Sequence, residues 1–396
     1  MTRTSVQLAE VCDVRDGTHY TPPNTGGPFP FLTVRDMTDE GLSFSDCSWI
    51  SEHEFIKAKT ASACPEQGTV LFSKDGTVGK VHVVNTDRPF AVLSSIAILR
   101  PDGERLLSRF LGFALRDRDI LRDAENRKTG SALRRIILED LKEVRIPLPL
   151  ISEQLRIARL LEEADRLHRM RRYALQVCDE LLPAVFHEMF VRPNNTWPLI
   201  TIEELAARKR NAIRTGPFGS QLLHSEFTTS GIAVLGIDNA VNNRFDWDQR
   251  RYISPQKYEL LKRYTVFPDD VIITIMGTCG RCAVIPKNIA TAINTKHLCC
   301  ITIDNEKTFP SFIQAAFLYH PQILRQLGVA QKGAIMEGLN MEIIKDLCLP
   351  LPPYSLQKTF VKLAERHERL RATHIEALRQ AEHLFETLLH QAFHTQ

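Results

Sequence analysis

The pattern of apolar and polar positions changes character along the chain, and it does so twice in the same order. Residues 1–151 and 193–352 contain short β-branched runs separated by Gly, Pro and Asp turns, which is typical of strands joined by tight loops. Both segments are therefore predicted to be α+β domains. The clearest strands are predicted at residues 90–99 and 266–275, and the clearest helices at 105–122 and 311–327.

Each domain is followed by a Pro-rich elbow and a long helical pattern, at residues 152–192 and 353–396. Ser152 and Ser355 are predicted N-caps, and Pro183 interrupts the first pattern. The first apolar stripe consists of Ile157, Leu160, Ala164, Leu167, Ala174, Cys178, Leu181 and Val185. The second consists of Phe360, Leu363, His367, Leu370, His374, Ala377, Ala381, Leu384 and Leu388. Such spacing predicts a coiled-coil seam between two helices of roughly 60 Å each.

The two halves also share motifs in the same order, which predicts an internal duplication with pseudo-two-fold symmetry. The elbow at 146–149 corresponds to 349–352, and Gln154 corresponds to Gln357, both 203 residues apart. The strand and turn at 69–80 correspond to 270–281, which lie 201 residues apart.

Composition limits the classes of protein to which the chain can belong. The chain has 396 residues, a formal net charge of +3 and nine cysteines. It has no apolar run of membrane-spanning length and no signal-peptide pattern, so we expect a cytoplasmic protein with reduced thiols and no membrane partner. Because the net charge is small, any nucleic-acid contact must come from local patches.

One proline motif and one glycine motif resemble catalytic or nucleotide-binding motifs, but both lack the side chains that those functions need. Residues 351–354 resemble an amino-methyltransferase motif, yet Leu351 has no oxygen to accept a hydrogen bond from a base, so a linker is predicted. Residues 76–80 lack the spacing and the Ser/Thr of a phosphate loop, so a β-turn with glycines at positive φ is predicted. Lys80 and Arg281 follow the two corresponding turns. Each is predicted either to contact a phosphate or to be an ordinary surface charge.

A zinc site is the other candidate for chemistry. Cys279 and Cys282 are spaced as ligands, but Cys299 and Cys300 are adjacent, and the first copy has valines at the positions of the first pair. Core thiols are favoured over metal ligands, and the alternative stays open.

Several segments resemble one family. The segments at 16–22 and 30–37, their counterparts at 216–222 and 231–235, and the elbow at 146–154 are similar to those of type I restriction-modification specificity subunits. The chain is identified as a member of that family over essentially its whole length. One departure is Leu356, where the family has Glu before the elbow glutamine.

The resemblance implies a function without catalysis. It implies that target-recognition domains at 1–151 and 193–352 each read one half of an asymmetric, bipartite double-stranded DNA target. It also implies that the helices at 152–192 and 353–396 pair antiparallel, set the spacing between the half-sites and dock two methyltransferase subunits. Restriction subunits would join this complex. S-adenosylmethionine, ATP and Mg would be bound by those partners, and this chain would bind no cofactor or metal.

Residue chemistry suggests individual DNA contacts, because Lys, Arg and small polar side chains bind phosphates and base edges. Ordinary surface polarity is the alternative at each position. The candidates are Thr18, His19, Tyr20, Arg35, Lys74, Lys80 and Lys128 in the first domain, and Ser220, Gln221, Asn239, Arg281, Lys296 and Lys332 in the second. Other functions to weigh are a self-contained methyltransferase or nuclease with fused recognition domains, and a coiled-coil scaffold with no DNA role.

Overall fold

The computed structural model describes residues 5–126, 136–192, 197–247, 250–328 and 339–394. The chain forms two compact units. Unit 1 comprises residues 1–174 and 375–396, and unit 2 comprises residues 175–374. Each unit therefore contains one α+β domain together with a part of both long helices.

The first domain consists of short strands and short helices. They are β1 (Ser5–Gln7), β2 (Cys12–Asp16), β3 (Phe29–Leu32), β4 (Met37–Thr38), β5 (Gly41–Leu42), β6 (Ser48–Ile50), α1 (Glu52–Thr60), β7 (Val70–Ser73), β8 (Val81–Val83), β9 (Ala91–Val92), β10 (Ile96–Pro101), α2 (Ser108–Ala114), α3 (Arg118–Asn126), α4 (Leu138–Lys142) and β11 (Arg145–Pro147). The long helix α5 (Ile151–Phe190) follows.

The second domain has a similar but not identical order of elements. Its elements are β12 (Leu199–Thr201), α6 (Ile202–Leu205), β13 (Ile213–Thr215), β14 (Ile232–Leu235), β15 (Tyr252–Ile253), α7 (Pro255–Leu261), β16 (Thr265–Val266), β17 (Val271–Thr274), β18 (Cys282–Val284), β19 (Ala292–Asn294), β20 (Leu298–Ile301), α8 (Pro310–Tyr319), α9 (Pro321–Gln326), α10 (Met341–Asp346) and β21 (Cys348–Pro350). The second long helix is α11 (Tyr354–His394).

The main sheets of the two units have the same strand order. A four-stranded antiparallel sheet has the order β2-β10-β7-β8 in unit 1 and β13-β20-β17-β18 in unit 2. A second sheet contains the parallel pair β3 and β9 in unit 1, and the parallel pair β14 and β19 in unit 2. Two short strands close each domain, β1 with β11 and β12 with β21. The predicted duplication of an α+β fold is thus confirmed.

The two predicted long strands are each divided between sheets. Within residues 90–99, β9 belongs to the second sheet and β10 to the first, with a turn at 93–95 between them. Residues 266–275 likewise hold the end of β16 and all of β17. A continuous apolar run predicts burial but does not show where a chain crosses from one buried sheet to another, so these two predictions were wrong in extent.

The predicted helices at 105–122 and 311–327 each contain a break. In unit 1 the Asp117 carboxylate accepts hydrogen bonds from the Asp119 and Ile120 N–H groups and starts α3 as an N-cap. In unit 2 Pro321 requires an extended residue before it, and His320 is extended there, with ψ of 120°.

The long helices differ from their predicted limits. Helix α5 has 40 residues and continues through Pro183, so the predicted interruption does not break it. Ser152 and Ser355 lie inside the first turns, because the carbonyls of Leu150 and Pro353 accept the first helical hydrogen bonds, from Gln154 and Gln357. Each predicted cap was therefore two residues too late.

The two elbows are fixed by the same buried glutamine. The Gln154 side chain donates to the Pro149 carbonyl at 2.9 Å and accepts from the Leu107 N–H at 2.9 Å. The Gln357 side chain donates to the Pro352 carbonyl at 2.8 Å and accepts from the Thr308 hydroxyl at 2.8 Å. Each glutamine therefore ties the start of a long helix to its own domain. Leu356, the departure from the family pattern, packs against the core of unit 2.

The buried face of the long helices is not the predicted leucine stripe. Of the predicted positions, Ile157, Ala164, Cys178, Phe360, His367 and Ala381 are buried. The leucines at 160, 167, 181, 363, 370 and 384 are 36–46% exposed. The helices pack on the domains as well as on each other, through aromatic residues that the heptad pattern does not select, among them Phe186, Phe385 and Phe393. In unit 2, Cys178 contacts His367 and Phe186 contacts Phe360, so the helices run antiparallel there.

Candidate nucleic-acid interface

In unit 1 the ends of four strands meet at one place. Strands β2 and β7 both pair antiparallel with β10, so both end where β10 begins. The ends of β3 and β9 join them, because the Thr18 N–H donates to the Val92 carbonyl at 2.9 Å and the Leu93 N–H to the Leu32 carbonyl at 3.0 Å. We call residues 16–20, 33–36, 74–80 and 93–95 the first strand-end edge.

Unit 2 has the corresponding arrangement. Strands β13 and β17 end where β20 begins, and the Thr295 N–H donates to the Leu235 carbonyl at 2.9 Å at the ends of β14 and β19. We call residues 215–221, 236–239, 275–281 and 294–297 the second strand-end edge. Loops that follow strand ends on a rigid sheet are well suited to present binding side chains.

A glycine at each edge permits close packing of the backbone. A Cβ on Gly17 would lie 2.4 Å from the Val92 carbonyl oxygen, and one on Gly216 would lie 2.1 Å from the Asn294 carbonyl oxygen. Any side chain at either position would push the loop away from the parallel strand beside it.

The predicted glycine turns are confirmed at both edges. Gly76 and Gly79 have φ of 70° and 95°, and Gly277 and Gly280 have φ of 73° and 78°. The hydroxyl of Ser73 accepts from the Lys80 N–H at 2.8 Å, as that of Thr274 does from the Arg281 N–H. The turns thus place Lys80 and Arg281 equivalently. Their side chains differ, because the Lys80 ammonium donates to the Met37 carbonyl whereas Arg281 is exposed.

Three sequence candidates are buried, which corrects their expected role. The Lys74 side chain is 1% exposed, and its ammonium lies 3.0 Å from the Asp16 carboxylate. The Thr18 hydroxyl donates to the Tyr20 carbonyl at 2.8 Å. The Asn239 side chain accepts from the Gly236 N–H at 2.8 Å and donates to the Asp246 carbonyl at 2.6 Å. These three side chains hold the edges in shape and do not face outward.

The other candidates at the edges are accessible. His19, Arg35, Ser220 and Gln221 are exposed, and Lys296 is half-buried. The Tyr20 hydroxyl donates to the Glu54 carboxylate at 2.8 Å, and this hydrogen bond raises the pKa of Tyr20. The Gln221 side chain accepts from the Tyr264 hydroxyl at 2.8 Å. Lys128 and Lys332 lie outside the described residues.

The second edge also contains a polar cluster that the sequence pattern does not predict. Asp238 and Arg251 form an ion pair there, beside Asn294 and Thr295 at the end of β19. Each residue keeps one buried polar atom without a hydrogen-bond partner: Asp238 Oδ2, Arg251 Nε, Asn294 Oδ1 and Thr295 Oγ1. Unpaired buried groups are costly unless a partner completes them. No sequence signal joins these residues, because they lie on separate strands and loops.

Two cations lie near His297 at the second edge. Burial, and then the charges of Lys296 and Arg251, lower the pKa of His297. Neighbouring cations that disfavour a protonated histidine are the same cations that would attract a phosphate.

The cysteines form no metal site among the residues that the structure describes. Cys282, Cys299 and Cys300 are buried in the core of unit 2, and burial raises the pKa of Cys299 to about 12. These thiols pack among apolar side chains in the core of unit 2.

An apolar groove follows the long helices in unit 1. It has a volume of about 370 Å³ and lies between Leu160, Leu167 and Met170 of α5 and Leu384 and Leu388 of α11. Met170 is 62% exposed and Leu160 is 44% exposed. Clustered exposed apolar side chains with charged neighbours, here Glu163 and Arg166, are typical of protein–protein contacts.

Comparisons with known proteins agree with this organisation. The family model of the type I restriction modification DNA specificity domain matches residues 3–175 and 224–382, one stretch in each half of the chain. A protein of Methanocaldococcus jannaschii, named as the specificity subunit of the type I restriction enzyme MjaX, is 22% identical over 363 residues, which cover 84% of this chain and 79% of that protein.

Two solved structures share the fold. A chain from a study of complex assembly and conformational transition in the type I restriction-modification system has a TM-score of 0.60 and 16% identity, covering 99% of this chain and 97% of its own. The crystal structure of the type I restriction-modification system S subunit from M. genitalium has a TM-score of 0.59 and 16% identity, covering 99% and 96%. No helix among the described residues is long and apolar enough to cross a membrane.

Proposed function

The chain belongs to the family of type I restriction-modification DNA specificity proteins, and from this we propose how it selects its DNA target. It is the specificity subunit of such a system and carries no catalytic role of its own. The observation that supports this function most strongly is the match of one specificity-domain family model to both halves of the chain.

We propose that each recognition domain reads one half of a bipartite target. The two strand-end edges share the strand order of the main sheet and the corresponding glycine turns, but they carry different side chains. A shared scaffold with different surface chemistry is what two different half-sites require, so the target is asymmetric. We retain residues 1–151 and 193–352 as the recognition domains, with spacer helices at 152–192 and 353–396.

The exposed side chains of the edges are the proposed DNA contacts. They are His19, Tyr20 and Arg35 at the first edge, and Ser220, Gln221, Arg281 and Lys296 at the second. Arg251 and Thr295 join the second group, because both are half-buried at that edge and Arg and Thr side chains bind phosphates and base edges. Such local groups account for DNA binding by a chain whose net charge is only +3.

The partner subunits supply the chemistry. We propose that two methyltransferase subunits dock on the long helices, one of them in the groove around Leu160, Leu167 and Met170, and that restriction subunits join them. S-adenosylmethionine, ATP and Mg belong to those subunits. The helices set the number of unread base pairs between the half-sites, since recognition elements must meet their grooves at a fixed helical spacing.

The function is tested by expressing the chain together with its methyltransferase subunit and mapping methylated adenines across the host genome. We expect one bipartite motif with two unlike halves and a spacer of constant length. A strain that expresses the methyltransferase alone is the control and should show no such motif. A continuous motif, or methylation without the chain, would contradict the proposal.

The same map tests the spacer. We expect that inserting four helical residues after Gln176 in α5 lengthens the spacer of the methylated motif or abolishes methylation. Substituting four exposed residues of the same helix without changing its length should leave the spacer as it was. An unchanged spacer with full activity in the insertion variant would show that the helices do not set the distance.

A further inference from the structure

Two histidines stand one turn apart on α11. His390 and His394 occupy positions i and i+4, their side chains are exposed, and their rings stack with centroids 4.6 Å apart. Residues with this spacing share a helix face, which is how paired histidines on one helix present both imidazoles to a single metal ion.

Carboxylates from the start of α3 face these histidines. His394 Nε2 lies 3.0 Å from Asp117 Oδ1 and 3.7 Å from Asp119 Oδ2. One ligand atom from each of Asp119, His390 and His394 can be chosen so that all three lie within 4.8 Å of one another. Ligand atoms around a tetrahedral zinc ion with bonds of about 2.0 Å are separated by about 3.3 Å, so small side-chain rotations would complete this geometry.

Other contacts hold the backbone that carries these three residues in place. Asp117 caps α3, and Asp119 stands in the first turn of that helix. In α11 the neighbouring Phe393 packs against Phe110 of the same unit, with ring centroids 5.4 Å apart. Two interactions compete with metal binding: the exposed ion pair of Asp119 with Arg122, which costs little to release, and the contact of His394 Nε2 with Asp117, which metal binding would break.

We propose that Asp119, His390 and His394 form a binding site for a divalent transition-metal ion of the zinc class. Two imidazoles and one carboxylate are ligands that zinc, nickel and copper accept, whereas magnesium and calcium prefer oxygen alone. A water molecule takes the fourth position. The bound ion would join α11 to α3, so that residues separated by more than 270 positions in the sequence hold unit 1 together.

The test measures metal binding by the purified full chain after chelator treatment and removal of the chelator. With Zn²⁺ as the probe, we expect one ion bound per chain, and with Co²⁺ a visible absorption band of a histidine-ligated site. His390→Ala and His394→Ala should each weaken binding at least about 10-fold, and Asp119→Asn should weaken it less. His383→Ala removes another exposed histidine of α11 and should change nothing.

Stability gives a second readout. Bound Zn²⁺ should raise the melting temperature of the wild-type chain and of His383→Ala, and should have no such effect on His390→Ala or His394→Ala. Circular dichroism of the four variants should match the wild type, because all four positions are exposed. Absence of stoichiometric binding, or equal binding by the wild type and both histidine variants, would overturn the proposal. Neither outcome bears on the recognition of DNA.

Discussion

Replacing Arg214 with alanine is expected to lower the free energy of unfolding of unit 2 by about 3–5 kcal/mol. Arg214 and Asp270 form an ion pair in which the two side chains are 5% and 0% exposed. Asp270 also accepts from the Thr302 hydroxyl at 2.6 Å and the Phe267 N–H at 2.8 Å, so its charge belongs to a complete network. Without Arg214 a buried carboxylate is left without its counterion, which is among the costliest single changes in a protein.

The duplication supplies a matched control. Arg15 pairs with Ile98 across the sheet of unit 1, at the position that Arg214 and Cys300 occupy in unit 2. Its side chain is 59% exposed and contacts Asp13, so Arg15→Ala should cost about 0.5 kcal/mol or less. Hydrogen exchange followed by mass spectrometry separates the two units, because it reports each strand individually.

In Arg214→Ala we expect protection to fall in β13, β17 and β20 and to persist in β2, β7 and β10. Equal losses in the two variants would show that burial of the pair does not determine its contribution. Loss of protection throughout the chain would show that the units do not unfold separately.

The variant carrying both Leu160→Glu and Leu167→Glu is expected to bind the methyltransferase subunit at least about 100-fold more weakly than the wild type. Both leucines line the groove of unit 1 and are exposed, so the free chain tolerates the charges. In the complex each carboxylate would be buried without a partner. Titration of labelled chain with the methyltransferase subunit measures the change.

Arg159→Glu combined with Arg171→Glu places two carboxylates at exposed positions of the same helix outside the groove and serves as the control. We expect it to retain binding within a few-fold. If the groove variant bound as well as the control, the docking surface would lie elsewhere on the long helices.

The duplicated fold could be predicted because its signals are periodic or repeated. Gln154 and Gln357 lie 203 residues apart, and both turned out to fix a helix to its domain through the same donor and acceptor pattern. The glycine turns were predictable for a related reason, since positive φ is a property of a local segment.

Exposure could not be predicted in the same way. Lys74 and Asn239 have the chemistry of DNA-binding residues, but each is buried by a partner on a separate segment, Asp16 in one case and Asp246 in the other. The predicted burial of the leucine stripe on the long helices was wrong because the sequence does not show which other elements the helices contact. A heptad pattern assumes that one helix is the only neighbour, whereas aromatic residues such as Phe186 and Phe385 bury a different face against the domains.

The cluster around Arg251 brings together residues that are distant in the sequence, and only the fold shows that they are in contact. Asp238, Arg251 and Asn294 come from three segments whose order in the sequence gives no hint of contact. They meet because the parallel pairing of β14 with β19 brings two strand ends side by side. The unpaired polar atoms at this edge are the feature that distinguishes it from an ordinary polar surface.

We propose that one chain holds two independent readers of DNA. The most direct test replaces residues 1–151 with the corresponding domain of a family member that has a different target, and maps methylated adenines in cells that express the chimera with the methyltransferase. If each domain reads its half-site by itself, one half of the bipartite motif changes while the other half and the spacer stay the same. A motif that changes in both halves, or in neither, would contradict this proposal.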